Sequence, residues 1–278
     1  MPELPEVQAH AERLTSELAG ATLSRFEPLS FTVLRTYAPD PASAVGSALD
    51  EIGRRGKLLL LRFAHLTFVV HPMQGGRLRP DLKQSAKPRN GIARWRFDDG
   101  RALLLTEPGT ERKAGVWVVE GEPLTQAPLD DLGPEADELD RAELAALLTD
   151  TSMRVHGFLR DQHLVAGVGR RLANEICHRA RLSPFATTSK LSGDEVDRLH
   201  RAIGEVIAES LEFERARDEM VGAADRPGTV HNQVGEPCPV CGDEVRAVEY
   251  RAYTIAYCPT CQTGGKVLAD NTTSKFLK

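Results

Sequence analysis

Four of the five cysteines in this 278-residue chain form two C-x-x-C pairs near its carboxyl-terminal end. The pairs are Cys238–Cys241 and Cys258–Cys261, and the sixteen residues between them include the strand-like segments AVEY and YTIAY. Four thiolates at this spacing fit the tetrahedral shell of one structural zinc ion. Two disulfides are the alternative, which a reducing cytosol disfavours. The spacing predicts a zinc-bound β-hairpin whose ligands are Cys238, Cys241, Cys258 and Cys261.

The rest of the composition, 41% hydrophobic and 27% charged residues, is typical of a soluble globular protein. The length allows two domains. No apolar run reaches the length of a membrane span, and the first residues do not resemble a signal peptide. We therefore expect a cytoplasmic protein and see nothing that requires more than a monomer.

The formal net charge is −5, but the charges are segregated along the chain. Basic residues cluster in two runs, residues 77–101 and 154–181, and acidic residues dominate the stretch 120–143. Such segregation predicts a positive face that attracts a polyanion. The alternative is that each run is an ordinary solvated surface.

The pattern of apolar residues predicts an α+β multidomain protein. Leu4, Val7, Ala11, Leu14 and Leu18 mark one face of an N-terminal helix. Short runs rich in aliphatic and aromatic residues follow up to residue 119, as expected for a β-sandwich or barrel. Helical patterns then take over, and the spacing of Ser192 and Glu195 predicts a helix that starts near Gly193.

Changes in composition suggest domain boundaries. We expect an N-terminal helix and β-sandwich over 1–120, an acidic linker over 121–140, a helical domain over 141–234, the zinc finger over 235–265 and a tail over 266–278.

The chain begins MPELPEV, which places Pro2 and Glu3 at the start of the first helix. Removal of the initiator methionine would leave Pro2 with a free secondary amine, a potential nucleophile. The positive end of the helix dipole disfavours an ammonium there. The alternative is ordinary helix-start chemistry, because proline and acidic residues favour the first turn.

In combination, six motifs resemble those of the formamidopyrimidine-DNA glycosylase and endonuclease VIII family, and the resemblance covers nearly the whole chain. The matching segments, in chain order, are PELPE at Pro2, GK at Gly56, HPM at His71, DLGPE at Asp131, VAGVG at Val165 and GEPC at Gly235. The resemblance implies a helical domain with a helix-two-turns-helix and a terminal zinc finger. It also implies an enzyme of base-excision repair in the bacterial cytoplasm, associated with the nucleoid, that acts on double-stranded DNA containing damaged bases or abasic sites.

The resemblance implies specific roles for single residues. Pro2 would attack the sugar C1′, Glu3 would shuttle protons and Lys57 would hold a backbone phosphate near the reaction. Met73 would enter the stack that the flipped base leaves. The remaining expected DNA contacts are His71, Arg112, Gly169, Arg170 and Arg251.

Four positions depart from the family pattern. Arg170 stands where the family usually has asparagine, and Ala114 stands where an aromatic gap-filling residue is expected. Thr254 replaces an arginine of the finger, with Arg251 three residues away, and His231 stands where tyrosine is common. These departures predict an altered lesion or strand preference.

Three hypotheses follow from these observations. The first is a bifunctional glycosylase and lyase that forms an iminium at Pro2 and nicks the strand by β- or β,δ-elimination. The second is a damage-recognition or abasic-site-recognition protein with little turnover. The third is a tautomerase-like enzyme that uses the proline amine as a base, which the zinc finger and the chain length argue against.

Overall fold

The computed structural model describes residues 1–219, 226–250 and 253–268. It divides into two compact units. The first comprises Met1–Leu132 and Glu214–Gly222, and the second comprises Gly133–Phe213 and Ala223–Lys278.

The first unit is a helix packed on a β-sandwich. Its helix is α1 (Leu4–Leu18), and its strands are β1 (Leu23–Pro28), β2 (Leu49–Arg55), β3 (Leu58–Phe63), β4 (Leu66–His71), β5 (Arg77–Pro80), β6 (Gly91–Phe97), β7 (Ala102–Thr106) and β8 (Gly115–Glu120). One antiparallel sheet has the order β1-β6-β7-β5, and the other has the order β2-β3-β4-β8. The predicted N-terminal helix and β-sandwich are confirmed.

The core of this unit lies between the two sheets and α1. Apolar side chains of alternate strand positions fill it, while the other face of β3, β4 and β8 packs in a second, smaller cluster that includes Leu60 and Val69. Phe26 of β1 meets Phe68 of β4 at 5.2 Å between ring centroids, and Trp95 of β6 meets Phe68 at 5.8 Å. These contacts join the two sheets.

The second unit contains the remaining elements. They are α2 (Arg141–Asp150), α3 (Val155–Arg160), α4 (Arg170–Arg179), most of α5 (Gly193–Arg215), β9 (Arg246–Tyr250), β10 (Tyr253–Tyr257) and α6 (Pro259–Thr263). Helix α5 starts at the predicted residue: Ser192 N–H donates to Glu195 Oε2 at 2.8 Å, and Glu195 N–H donates to Ser192 Oγ at 3.3 Å.

The acidic stretch 121–140, expected as the linker between domains, includes some regular structure and several buried apolar residues. It contains a short 3₁₀-helix at Pro123–Thr125, and Leu129, Ala136 and Leu139 are buried. The division between units falls inside this stretch, after Leu132.

Two of the arginines expected on a positive face are buried. Arg94 is 1% exposed and donates to Asp81 Oδ2 at 2.8 Å, to Glu27 Oε2 at 3.1 Å and to Ser85 O at 2.7 Å. Arg171 is 2% exposed and donates to the Arg226 carbonyl. Both side chains therefore bond to groups inside the protein and do not contribute to an exposed positive surface. The two basic runs expose fewer charges than the number of their basic residues suggests.

Within the part of the chain that the structure describes, we find no helix with the length and apolar character needed to cross a bilayer.

Candidate functional site

Helix α1 begins directly after the two residues expected to carry the chemistry. Glu3 is the N-cap residue, and its N–H donates to Glu6 Oε2 at 2.8 Å, as in a capping box. Both glutamates are buried, Glu3 with 4% of its surface exposed. Pro2 is also buried, whereas Met1 is 45% exposed.

Two hydrogen-bonded contacts align α1 with β2. Thr15 Oγ1 accepts from the Ile52 N–H at 2.8 Å, and Gln8 Oε1 accepts from Arg54 Nε at 3.0 Å. A helix rises about 1.5 Å and a strand about 3.3 Å per residue. The turn after β2 therefore lies at the same end as the first turn of α1. Lys57, which is 5% exposed, lies in that turn.

The strand register brings three connections to one edge of the second sheet. Strands β3 and β4 pair Leu59 with Val70, and β4 and β8 pair His71 with Gly115. Antiparallel neighbours place the start of one strand beside the end of the next. The connections that share the edge are the turn at Gly56-Lys57, the turn over 72–76 and the loop over 107–114.

His71 ends β4 and is held as a neutral imidazole. Burial, and then the positive charge of Lys57, lowers the pKa of His71 to about 4. The Met73 N–H donates to His71 Nδ1 at 2.9 Å, so Nδ1 is the acceptor nitrogen. The proton of the neutral ring therefore resides on Nε2, which makes His71 a hydrogen-bond donor near neutral pH.

Met73 lies in a tight turn with a left-handed backbone, at a φ of 54°. The Gly76 N–H donates to Pro72 O at 2.8 Å, and a Cβ on Gly76 would collide with that same carbonyl oxygen. Met73 is half-buried, while the next residue, Gln74, is exposed. The turn therefore presents both side chains close to the shared edge.

The loop over 107–114 exposes Arg112 and buries Ala114. The buried Glu107 accepts the Ala114 N–H at 2.8 Å on Oε2, and Ala114 is 3% exposed. Arg112 is exposed. Pro108 of this loop lies against Gly75 of the neighbouring turn. Ala114 is thus part of the core, and Glu107 holds the loop in place, a role that its sequence position does not indicate.

In the second unit, the G-x-G turn leads into α4. Gly169 is the N-cap residue of α4, Arg170 is its exposed first residue, and Gly167 has a φ of 95°. Gln162 fixes the turn, because its Nε2 donates to Val168 O at 2.9 Å and its Oε1 accepts from the Gly167 N–H at 3.1 Å. Sequence reasoning missed Gln162, which lies outside any recognisable motif.

The segment before the finger is fastened to α4. The carboxylate of Glu175 accepts the N–H groups of Thr229, Val230 and His231 at 2.8 to 3.1 Å. Asn174 Nδ2 lies 2.8 Å from His231 Nδ1, so this ring nitrogen accepts the amide hydrogen. His231 is thereby positioned by the same helix that carries Arg170.

The finger hairpin carries two stacked tyrosines. The rings of Tyr250 and Tyr253 lie 4.8 Å apart at 12°, and the Arg160 guanidinium lies 4.6 Å from the Tyr253 ring. Thr254 is exposed on β10. Arg251, an expected DNA contact, lies outside the described residues.

The four cysteines of the finger converge as predicted. Cys238 Sγ lies 3.9 Å from Cys261 Sγ, and Cys241 Sγ lies 3.3 Å from Cys258 Sγ. Sulfurs bound at ~2.3 Å to one tetrahedral ion are about 3.8 Å apart. The separation of Cys238 and Cys261 matches this value, that of Cys241 and Cys258 is shorter, and donor atoms of Cys238, Cys258 and Cys261 all lie within 4.8 Å of one another, so this cluster can hold a zinc ion. Burial raises the pKa of the Cys258 thiol to about 11, so metal binding would release protons.

His178 is a fifth candidate donor that sequence reasoning missed. It lies in the last turn of α4, is 5% exposed, and places Nε2 3.4 Å from Cys238 Sγ. Burial lowers the pKa of His178. Sixty residues separate the two side chains in the sequence, so no spacing rule connects them.

Comparison with known proteins gives a consistent result along the chain. The pattern of the formamidopyrimidine-DNA glycosylase N-terminal domain matches residues 1–117, and that of the formamidopyrimidine-DNA glycosylase H2TH domain matches residues 132–220. The formamidopyrimidine-DNA glycosylase of Chloroflexus aurantiacus is 31% identical over 276 residues, which cover 94% of this chain and 98% of that protein. An uncharacterized formamidopyrimidine-DNA glycosylase-like protein of Mycobacterium tuberculosis is 42% identical over 149 residues, covering 53% of this chain and 94% of that protein.

Solved structures with the same fold agree. The MutM (Fpg) protein of Thermus thermophilus superposes with a TM-score of 0.81 at 30% identity, covering 96% of this chain and all of that chain. The Lactococcus lactis Fpg in complex with DNA containing an abasic site has a TM-score of 0.84 at 20% identity, covering 94% of this chain and 99% of that chain.

Proposed function

The chain belongs to the formamidopyrimidine-DNA glycosylase family, and we propose that it excises an oxidised base from duplex DNA through Pro2 and then cuts the strand as an AP lyase. The family supports the general role in DNA repair. The observation that carries the finer proposal is the shared edge, where Lys57, His71, Met73 and Arg112 collect at the end of the sheet beside the start of α1.

The proposed reaction begins with a damaged nucleotide turned out of the duplex, which is easier for a damaged base than for a paired one. The Pro2 nitrogen forms a bond to C1′, and the glycosidic bond breaks with its electron pair on the departing base, which takes up a proton. The nitrogen loses its own proton. The C1′–O4′ bond then opens, O4′ receives a proton from Glu3, and an iminium joins Pro2 to C1′.

Strand cleavage follows from the same intermediate. The iminium withdraws electrons from C2′, so a C2′ proton is lost to a base. The electron pair forms a double bond to C3′, and the 3′-phosphate leaves in β-elimination. A second elimination, in which the 5′-phosphate leaves, would complete β,δ-elimination. Glu3, buried at the helix start, is the proposed proton carrier for these transfers.

The other residues of the edge are proposed to hold the DNA in place. Lys57 would bind a backbone phosphate, and the Nε2–H of His71 would donate to a phosphate or sugar oxygen. Met73 is proposed to fill the stack that the flipped nucleotide leaves, and Arg112 to reach the opposite strand. In the second unit, the N–H of Gly169 and the side chain of Arg170 would bind phosphate at the start of α4. Arg251 is proposed as a contact of the finger.

The finger is proposed to bind one structural zinc ion through Cys238, Cys241, Cys258 and Cys261. The sulfur separations support this set of ligands. The ion would hold the hairpin of β9 and β10 rigid, since a small hairpin has too little core to be stable alone.

A damage-recognition protein with little turnover is the second candidate. It is favoured by Ala114, whose burial leaves the expected gap-filling position without an exposed aromatic ring. In the first candidate the Pro2 amine is required for base release and strand cleavage. In the second candidate the amine is not required, and its loss leaves the affinity for damaged DNA unchanged.

Base release and strand nicking, measured separately, test the proposal. Duplexes containing 8-oxoguanine, a formamidopyrimidine or an abasic site are incubated with protein whose Met1 has been shown to be absent. We expect Pro2→Gly and Glu3→Gln to abolish nicking of the abasic duplex, while affinity for a tetrahydrofuran-containing duplex stays within about twofold. The matched control is Glu17→Gln, at an exposed glutamate near the other end of α1. Wild-type protein that binds these duplexes without turnover would favour the recognition role.

A further inference from the structure

The zinc finger has five candidate ligands for an ion that takes four. One donor atom from each of His178, Cys238, Cys258 and Cys261 lies within 4.8 Å of the others. Cys241 completes the more familiar set, with its sulfur 3.3 Å from Cys258 Sγ. Among these five side chains, Cys241 is the exposed one.

The position of His178 agrees with direct metal binding. A nitrogen at ~2.05 Å and a sulfur at ~2.3 Å from one tetrahedral ion are about 3.6 Å apart. The measured separation of His178 Nε2 and Cys238 Sγ is 3.4 Å. The same separation suits an N–H···S hydrogen bond to a bound thiolate, so His178 can support the ion before it becomes a ligand.

The protein itself holds His178 near the sulfurs. Gln262 Nε2 donates to Leu182 O at 2.9 Å, and Gln262 Oε1 accepts the Cys258 N–H at 2.8 Å. These bonds connect the last pair of cysteines to the segment that follows α4. That segment follows directly on the last turn of α4, which carries His178, so these bonds help to keep His178 near the sulfurs.

We propose that His178 is a reserve zinc ligand that replaces Cys241. In the exchange, the bond between zinc and the Cys241 sulfur breaks and the Nε2 lone pair of His178 forms the new bond. The imidazole proton then resides on Nδ1, and the released Cys241 thiolate takes a proton from solvent. The inference rests on the proposed zinc site.

Electrostatics and exposure favour such an exchange. Four thiolates leave the zinc site with a net charge of −2, whereas three thiolates and a neutral imidazole leave −1, which is easier to bury. Oxidation of cysteine follows thiolate character and exposure. Cys241 is therefore the ligand that damage removes first, and the finger keeps its ion because a buried nitrogen takes its place.

The test uses the full chain with Zn²⁺ or Co²⁺ as the probe. We expect Cys241→Ser to retain one ion per chain, and its Co²⁺ form to lose about one quarter of the thiolate charge-transfer absorption, as for three sulfurs and one nitrogen. His178→Phe alone should also retain the ion. Cys241→Ser/His178→Phe should release Zn²⁺ to a chelator at least about tenfold faster than either single variant.

A matched control uses His200, a half-buried histidine of α5 that bonds to Leu139 O at 3.1 Å. Cys241→Ser/His200→Phe should behave like Cys241→Ser. Equal release rates from Cys241→Ser with and without His178 would overturn the reserve ligand, as would a Co²⁺ spectrum of Cys241→Ser that shows no nitrogen ligand. The Co²⁺ spectrum is recorded on the single variant Cys241→Ser, so this test remains decisive even if the double variant folds poorly. Wild-type protein that binds no ion would overturn the zinc site as well.

Discussion

His71 lies half-buried beside Lys57, and partial burial together with that neighbouring positive charge lowers the pKa of its imidazole to about 4. The Met73 N–H donates to Nδ1 of the same ring at 2.9 Å. Protonation of Nδ1 would break this bond and place a second positive charge beside Lys57. His71 is therefore neutral in the native protein near neutral pH.

The first prediction concerns stability at acidic pH. His71 in the unfolded chain takes up a proton near pH 6.5, but in the native state only near pH 4, so the free energy of unfolding falls as pH drops through this window. Between pH 7 and 4.5 we expect wild type to lose about 2 to 3 kcal/mol more than His71→Gln. Denaturant titrations of both proteins at both pH values measure the difference. His10 and His156, whose pKa values are also lowered, titrate in both and cancel. Identical pH slopes would contradict the assignment.

The second prediction separates strain from function at Met73. A left-handed backbone at φ 54° is strained for methionine by ~1 kcal/mol, and glycine relieves it. Met73→Gly should therefore be at least as stable as wild type in denaturant titration. It should nevertheless excise bases from duplex DNA more slowly, because the side chain that fills the stack is gone.

Met73→Ala and Gln74→Ala complete this comparison. Met73→Ala should lose excision without the gain in stability, and Gln74→Ala should keep excision near the wild-type rate. If Gln74→Ala is the variant that slows excision, Gln74 is the inserted residue and the role given to Met73 is wrong.

The third prediction concerns Arg170 at the start of α4. Removal of one phosphate contact weakens binding to all sequences alike and lowers the slope of log K against log salt by about 1. We expect this for Arg170→Ala in fluorescence anisotropy with an abasic-site duplex across a salt series. Arg201, an exposed arginine of α5, gives the control Arg201→Ala, for which the slope should not change. An unchanged slope for Arg170→Ala would remove it from the interface.

The fourth prediction concerns the buried arginine of the first basic run. Arg94 is 1% exposed between Asp81 and Glu27, so Arg94→Ala leaves the buried Asp81 carboxylate without its arginine, while Glu27 keeps Arg96. Breaking a buried pair in this way destabilises a protein by about 3 to 5 kcal/mol. Arg89→Ala, at an exposed position of the same run, should change stability by less than ~0.5 kcal/mol. A mild effect of Arg94→Ala in thermal unfolding would contradict the buried network.

Local sequence patterns predict helices and strands well where interactions between residues close in the chain determine the secondary structure. Strand β4 at Leu66–His71 is one of the short apolar runs that predict strands before residue 119, and α5 starts near Gly193, as predicted, because Ser192 and Glu195 can cap each other. Strand β5 carries two arginines and a proline, which is typical of an edge strand. In the sequence this short segment is part of the first basic run, so its charge pattern predicts a basic surface and not a strand.

The site is harder to predict because its geometry depends on register and on distant partners. That Lys57, His71 and Arg112 share an edge follows from the pairing of β3, β4 and β8, which no local motif encodes. Arg94 finds Glu27, sixty-seven residues away, and His178 finds Cys238, sixty residues away. Sequence spacing reveals ligands that lie close in the chain, such as the paired cysteines, and misses those that only tertiary packing brings together.

The central claim is that the nitrogen of Pro2 becomes covalently bonded to deoxyribose. Incubation with an abasic-site or 8-oxoguanine duplex in the presence of borohydride, followed by digestion and mass spectrometry, tests it most directly. We expect a reduced adduct on the peptide that begins at Pro2, lost in Pro2→Gly and preserved in Glu17→Gln. An adduct on another residue, or strand cleavage by protein that retains Met1, would contradict the account.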